Sequence, residues 1–183
     1  MSLSLRHQFL IAMPALDDEN FAHTVTYLCQ HDSGGALGIV VNRPGPMRLR
    51  ACIESLGLEY LRSDDPEVLV GGPVSPEHGF ILHTELPGFD LSVDLGNGLF
   101  FSTAKELLAA IARNEGPERF LIALGYAGWS AGQLEAEIAQ NAWLTCPASE
   151  RVLFEVPMED RVREAAKVLG IDFNLIASQP GFA

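Results

Sequence analysis

Residues 24–42 read TVTYLCQHDSGGALGIVVN. The two halves of this stretch, Thr24–His31 and Ala36–Asn42, are rich in the β-branched, aromatic and aliphatic residues typical of β-strands. A short polar turn with two glycines, Asp32–Gly35, joins them. Two strand-like runs separated by a short glycine-containing turn predict an antiparallel hairpin. We therefore place a β-hairpin near the N terminus and build the rest of the fold around it.

Short apolar runs on both sides of the hairpin predict further strands. Gly and Pro residues separate these runs, and both residue types end strands and form turns. Phe120–Leu124 is almost continuously apolar, which is typical of a strand buried on both faces. The strands predicted outside the hairpin are Phe9–Met13, Glu67–Val70, Gly79–His83, Leu91–Leu95, Leu99–Phe101, Phe120–Leu124, Trp143–Thr145 and Val152–Val156.

Helical spacing of apolar residues predicts about four helices that flank the strands. The first covers residues 49–56 and stops at Gly57. Thr103–Glu106 and Ser130–Gln133 each match a capping box, in which side chains satisfy the free amides at the start of a helix. The last helix has Pro157 in its first turn, ends at Gly170 and buries a stripe of Val162, Ala165, Ala166 and Leu169. Early strands and later interleaved helices predict an α+β (mixed α/β) fold.

Length and charge limit the function classes. The chain has 183 residues, which fits a single domain over 1–183, and we expect residues 1–6 to be flexible. It carries 24 acidic against 12 basic residues, a formal net charge of −12. Because phosphate backbones are bound by clustered cations, this charge argues against direct contact with nucleic acid.

Cysteine use and hydropathy predict a soluble cytoplasmic protein without a cofactor. The three cysteines, Cys29, Cys52 and Cys146, are widely spaced and form neither a disulfide framework nor a zinc motif. The longest uncharged run, residues 120–134, is too short to span a bilayer. Gly71–Ser75 is a glycine-rich turn that lacks the lysine of a phosphate-binding loop. We expect no metal site and no membrane contact.

One segment matches a catalytic motif. Gly128–Gly132 reads GWSAG, the G-x-S-x-G pattern of a nucleophile elbow, and it lies between a predicted strand and a predicted helix. The five histidines all precede Ser130, whereas an α/β-hydrolase places its histidine after the serine. A cap role also accounts for Ser130. A hydrolase that uses Ser130, or a Cys29/His31 pair on one strand, is therefore the alternative rather than the leading hypothesis.

A local excess of positive charge marks a candidate recognition surface. Residues 33–53 contain three arginines and no acid, in a chain that is otherwise strongly acidic. Arg43 lies at a predicted strand end, before Pro44. An arginine in such a place binds anionic ligands or the carboxylates of a partner. Together with polar, glycine and aromatic residues at other element ends, it defines the candidate ligand-binding set: Asn42, Arg43, Gly71, Gly72, Trp129 and Asn141.

Several motifs in a fixed order resemble the AlgH/YqgE family of bacterial proteins. They are FLIAMP at 9–14, ALGIVVNRP at 36–44, GGPV at 71–74, GFILH at 79–83, LGYAGW at 124–129, GQLE at 132–135 and NAWL at 141–144. The resemblance covers nearly the whole chain from about residue 7. It implies a strongly curled mixed sheet and a role in transcriptional regulation, and it supplies no established catalytic residues.

The leading hypothesis is a non-enzymatic regulatory protein. It would act by binding a small anionic ligand or a protein partner, because the chain has polar motifs at strand ends and lacks a complete catalytic set. Direct DNA binding is the third hypothesis, and the net charge weighs against it.

Overall fold

The predicted hairpin lies inside one curled sheet of ten strands in the computed structural model, which describes residues 3–172. The strands are β1 Gln8–Ala12, β2 Val25–Asp32, β3 Gly35–Val40, β4 Pro44–Arg48, β5 Glu67–Val70, β6 Val74–Thr84, β7 Val93–Gly96, β8 Leu99–Ser102, β9 Phe120–Ser130 and β10 Trp143–Pro147. Within these residues five α-helices flank the sheet: α1 Leu49–Ser55, α2 Lys105–Ala112, α3 Gln133–Ala139, α4 Glu150–Phe154 and α5 Arg161–Lys167.

The long strand β9 organises the sheet. Its second half pairs antiparallel with β3, and its first half pairs antiparallel with β6 and parallel with β5. The main strand order is β10-β1-β2-β3-β9-β6-β8-β7, and the β4–β5 ribbon attaches to β9. The turn between β7 and β8 lies beside His7, the residue that precedes β1, since a Cβ on Gly96 would lie 3.2 Å from His7 Nε2. The mixed, curled α+β sheet is therefore confirmed.

Apolar side chains fill three clusters around this sheet. The largest includes Phe9, Tyr27 and Leu82 and is covered by α4 and α5. A second cluster lies under α1 and α2, around Ile53 and Ile111. The third joins α3 to β1, β9 and β10. In each cluster the apolar residues on one face of the strands pack against the apolar residues of the helices.

Most predicted elements are confirmed, and some are wrong. The run Val152–Val156 is not a strand: residues up to Phe154 belong to α4, because Ser149 accepts a hydrogen bond from Val152 N at 3.2 Å and caps a helix there. Five helices replace the expected four among the described residues. In α5 Ala165 and Ala166 are buried as predicted, but the helix ends at Lys167 instead of Gly170, and Leu169 beyond it is 39% exposed.

The predicted helix starts also need correction. Helix α2 follows Ala104 and has no side-chain cap, so Thr103 is not its cap. Helix α3 follows Gly132, which has a φ of 76°. Only half of that capping box forms: Gln133 Oε1 accepts from Ser130 N at 3.0 Å. Ser130 is instead the last residue of β9.

Both chain ends fall partly outside the described residues. Residues 1–2 and 173–183 are not described. Ser4 Oγ donates to the carbonyl oxygen of His31 at 3.1 Å, and Leu5 N donates to His31 Nδ1 at 2.9 Å. The flexibility expected of residues 1–6 and the domain bounds stay predictions.

Candidate functional site

Asn42 and Arg43 have structural partners on neighbouring segments. Asn42 Oδ1 accepts from Val25 N at 2.9 Å, and its Nδ2 donates to His23 O at 2.9 Å. Arg43 Nη1 donates to the carbonyl oxygens of Glu19 and Asn20. Its Nη2 donates to Ala22 O at 2.9 Å. The Arg43 guanidinium therefore holds the 19–22 loop in place.

Gly71 and Gly72 bring two backbones into close approach. Gly71 N donates to Leu124 O at 2.8 Å, and Gly71 O accepts from Val40 N at 2.8 Å. A Cβ on Gly72 would lie 2.1 Å from the carbonyl carbon of Tyr126, and Gly72 has a φ of 155°. Glycine is required here because no other residue fits between the segments. The turn attaches the end of β5 to β9.

Trp129 lies in an aromatic cluster over α3. Its ring is 6% exposed and stacks on Phe21, with centroids 6.0 Å apart. Trp129 Nε1 donates to Glu137 Oε2 at 2.7 Å, and Trp143 Nε1 donates to the same oxygen at 3.1 Å. Asn141 is exposed at the end of α3, with a φ of 61°. Asparagine accepts this left-handed conformation more readily than most residues.

Of the six predicted residues, Trp129 borders a shallow cavity beside Gly34–Leu37, and the other five do not line that cavity. Three of the six are linked in series: Gly71 bonds the end of β3, Arg43 holds the 19–22 loop, and Phe21 of that loop packs on Trp129. Their role in ligand binding stays a prediction.

The pairs expected of a hydrolase are not formed. The Ser130 hydroxyl donates to Gln133 Oε1 at 3.2 Å, and no histidine or carboxylate of the described residues bonds to it. A bulge between Leu28 and Gln30 breaks the alternation of β2. Cys29 therefore packs in the core, where burial raises the pKa of its thiol, whereas His31 Nε2 lies 2.6 Å from Glu135 Oε1.

A buried arginine defines a site that sequence reasoning missed. Arg161 is the first residue of α5 and is 7% exposed. Its Nε donates to Val156 O at 3.1 Å, and its Nη1 donates to Val41 O. Among residues 3–172 it makes no ion pair and its Nη2 forms no hydrogen bond to these residues, but Nη2 is not a fully buried unpaired atom. Burial lowers the pKa of this guanidinium, and the negative charges of Glu67 and Glu159 oppose that effect.

Arg161 lines a cavity of about 260 Å³ whose other lining residues are mostly apolar. The wall comes from α1, β5, β9, α4 and the 3₁₀ turn at Met158–Asp160. Glu67 also borders the cavity, but its carboxylate lies 3.4 Å from Arg48 Nη2, so a second arginine balances its charge. The lining residues are Leu49, Pro66, Glu67, Leu69, Phe120, Leu121, Ile122, Phe154, Met158 and Arg161.

This arrangement suits an anion with a compact apolar body. Guanidinium N–H groups bind carboxylates in a fixed fork geometry, and burial strengthens such contacts. The sequence around Arg161 gives no local signal, because the bonded carbonyl of Val41 lies 120 positions away along the chain. A buried arginine of this kind is recognisable only after the fold brings β3 and α5 together.

Metal ligation and membrane spanning find no support in the described part of the chain. Among residues 3–172 no group of three or more His, Cys, Asp or Glu residues is arranged to hold a metal ion. No helix in the same part of the chain combines the length and apolar character needed to cross a bilayer.

Comparison with known proteins assigns the family. The AlgH-like family model matches residues 9–174. The chain belongs to the AlgH-like family. A UPF0301 protein of Pseudomonas paraeruginosa is 48% identical to it over 98% of this chain and 96% of its own length. A UPF0301 protein of Shewanella sp. (strain ANA-3) is 46% identical, over 98% and 99% of the two chains.

Solved structures agree with this AlgH-like assignment. The solution structure of the AlgH protein from Pseudomonas aeruginosa is similar, with a TM-score of 0.80 and 46% identity over 100% of this chain and 98% of that one. A crystal structure of a protein from Corynebacterium diphtheriae has a TM-score of 0.76 over 98% and 94% of the two chains, at 17% identity. The second likeness concerns the fold alone.

Proposed function

We propose that this AlgH-like protein is a cytoplasmic regulatory protein that binds a small organic carboxylate in the Arg161 cavity. The observation that carries the proposal is a guanidinium that is 7% exposed, lines a cavity with mostly apolar residue types in its wall, and has no ion pair among the described residues. Removing a guanidinium from water is costly, and a bound anion would offset part of that cost in addition to the attraction of Glu67 and Glu159. The three cysteines are free thiols, which fits a reducing compartment.

The cavity limits the size and polarity of the ligand. A volume of about 260 Å³ is below the usual range of about 300–1,000 Å³ for drug-sized ligands, so the ligand is small. Phe120, Phe154 and Met158 favour an apolar body. A short aliphatic or aromatic monocarboxylate meets both requirements, whereas a nucleotide is too large and too polar.

Regulation would follow from the elements that Arg161 connects. Through the carbonyl of Val41 it contacts the segment that carries Asn42 and Arg43. Arg43 in turn holds the 19–22 loop, which packs on Trp129. We propose that a ligand in the cavity changes the surface formed by Asn42, Arg43 and the 19–22 loop. A protein partner would recognise the changed surface. Direct contact with nucleic acid is not part of the proposal, because the net charge of −12 opposes it.

Thermal unfolding with matched pairs of small molecules tests the binding. Hexanoate and benzoate should raise the Tm with increasing concentration, while hexanamide and benzamide should not, because only the acids carry a charge for Arg161. At 100 times its Kd a ligand stabilises the folded state by about 2.7 kcal/mol. Equal shifts with acids and amides, or no shift with any acid, would contradict the proposal.

Three variants test whether the acid-specific rise in Tm comes from binding in the Arg161 cavity. Arg161→Met should abolish the acid-specific shift, and Arg43→Met should retain it. Met158→Trp fills the cavity while keeping Arg161 and should also abolish the shift. If Arg161→Met responds to the acids as the unaltered protein does, the ligand binds elsewhere.

A further inference from the structure

A second pair of chemically active side chains lies on β6 and the loop before β7, and neither of them lines the Arg161 cavity. His83 is 1% exposed, and its ring stacks on Phe100 with centroids 5.7 Å apart. His83 Nδ1 lies 2.6 Å from the carbonyl oxygen of Thr84. His83 Nε2 lies 2.7 Å from Ser92 Oγ. The ring is therefore fixed in its plane and contacted at both nitrogens.

These contacts define the direction of each hydrogen bond. A carbonyl oxygen only accepts, so His83 Nδ1 carries the proton and donates to Thr84 O. In the neutral ring Nε2 then has a free lone pair, and the Ser92 hydroxyl donates to it. Burial lowers the pKa of His83, which favours the neutral ring at neutral pH. A serine that donates to an oriented, neutral histidine is the arrangement of an activated nucleophile.

Ser92 is the less buried member of this pair. The serine is half-buried, whereas its neighbours Leu91 and Val93 are each 53% exposed. Its backbone N–H makes no hydrogen bond to the described residues and is free to donate to an oxyanion. Exposed apolar neighbours favour a substrate with an apolar acyl group.

We propose that Ser92 is a nucleophile towards esters with an apolar acyl group and that His83 is its general base. The Thr84 carbonyl takes the orienting place that a carboxylate has in a Ser-His-Asp triad. This site differs from both hydrolase pairs considered in the sequence, which involved Ser130 and Cys29.

The chemistry balances with groups that the chain supplies. Ser92 Oγ attacks the ester carbonyl carbon while its proton moves to His83 Nε2. The bond from that carbon to the alcohol oxygen breaks, and His83 returns the proton to the leaving alcohol. The acyl group stays on Ser92 as an ester until water attacks it, again with His83 as base. Because His83 lacks a carboxylate partner among the described residues, the imidazolium is weakly stabilised and turnover should be slow.

Covalent labelling is therefore the direct test. A fluorophosphonate with an alkyl chain should phosphonylate the full chain once, with fluoride as the leaving group, and peptide mass spectrometry should place the adduct on Ser92. Ser92→Ala should remove the adduct, and Ser130→Ala should leave it unchanged. His83→Asn should slow labelling by about 100-fold or more, since a general base contributes about 10²–10⁴-fold.

The labelling results distinguish a nucleophilic Ser92 from a serine that only stabilises the fold. Ser92→Ala should keep its circular dichroism and a Tm close to that of the unaltered protein, so that loss of labelling reflects chemistry and not unfolding. No adduct under conditions that label a serine esterase, or an adduct on another residue that survives Ser92→Ala, would overturn the proposal. A labelling rate that His83→Asn leaves unchanged in a folded variant would remove His83 as the base.

Discussion

Arg43 and Arg161 both lie near the end of β3, and they differ in how many of their guanidinium nitrogens are hydrogen-bonded within the protein. Arg43 is half-exposed and gives its Nη1 and Nη2 donors to three carbonyls of the 19–22 loop. Arg161 is buried and bonds two carbonyls through Nε and Nη1, and its Nη2 has no partner among residues 3–172. The conspicuous arginine of the sequence is structural, and the inconspicuous one borders a cavity.

Under the proposal that Arg161 and not Arg43 binds the anion, local charge density in the sequence is a poor guide to the binding site. A cationic stretch shows only how many arginines are close together in the sequence. A ligand needs hydrogen-bond donors that are not already used and that lie beside a cavity. Burial adds to this effect, because a guanidinium shielded from water interacts more strongly with a bound anion. Four substitutions test how far the two arginine regions differ.

The largest effect is expected from Gly72→Ala, which disturbs both regions at once. Its Cβ would lie 2.1 Å from the carbonyl carbon of Tyr126, so β5 and β9 must separate. We expect the free energy of unfolding to fall by about 3 kcal/mol, as for a severe steric or backbone change. Gly79→Ala is the control, because no atom lies within 4 Å of the methyl group that it would add. Urea denaturation should show an effect of at most about 0.5 kcal/mol for the control.

Arg161→Met is expected to have the next largest effect. It leaves the carbonyls of Val41 and Val156 without their side-chain donor, and we expect a cost of about 2 kcal/mol, which is the lower end of about 1–3 kcal/mol for each unpaired buried group. Arg163→Met on the same helix is the control, since Arg163 is exposed and pairs with Asp160. Surface ion pairs contribute about 0–1 kcal/mol. Equal unfolding free energies for the two variants would show that Arg161 does not anchor β3.

Arg43→Met should have a smaller and more local effect. We expect the free energy of unfolding to fall by about 1 kcal/mol, because the bonds replaced are partly accessible to water. Hydrogen exchange should rise at residues 19–22 and stay unchanged at the cavity wall. Faster exchange around Phe120 would mean that the two regions are not separable.

The smallest expected effect is the pH dependence of the stability that Glu164 of α5 contributes. Lys167 and Arg151 hold the pKa of Glu164 at about 2, below its usual value of 4.5. A carboxylate with a lowered folded-state pKa stabilises the fold above the usual value and loses that contribution as pH falls towards the folded-state value. The difference in stability between the unaltered protein and Glu164→Gln should therefore shrink from pH 4.5 to pH 2. A constant difference across that window would contradict the assignment.

Local sequence signals were sufficient for the hairpin and for most strands. The runs at Val25–Asp32 and Gly35–Val40 carry their own propensity and turn, so their pairing needs no distant contact. The run Val152–Val156 has strand propensity, but the Ser149 cap and packing on the core override it. Propensity is a weak guide for such short segments.

The candidate site was much less predictable. Residues 128–132 match a catalytic motif, yet Gly125, with a φ of 76°, lets β9 continue to Ser130 instead of turning into an elbow. Cys29 and His31 were expected on one face, but the bulge in β2 separates them. The Arg161 cavity depends on contacts between distant segments, and no spacing rule describes it.

The most direct measurement is an NMR titration that follows the Nε–H signals of the arginine side chains as hexanoate is added. We expect the Arg161 signal, assigned by its loss in Arg161→Met, to move and saturate while the Arg43 signal stays in place. Movement of the Arg43 signal with Arg161 unchanged, or no movement of either, would contradict carboxylate binding at Arg161.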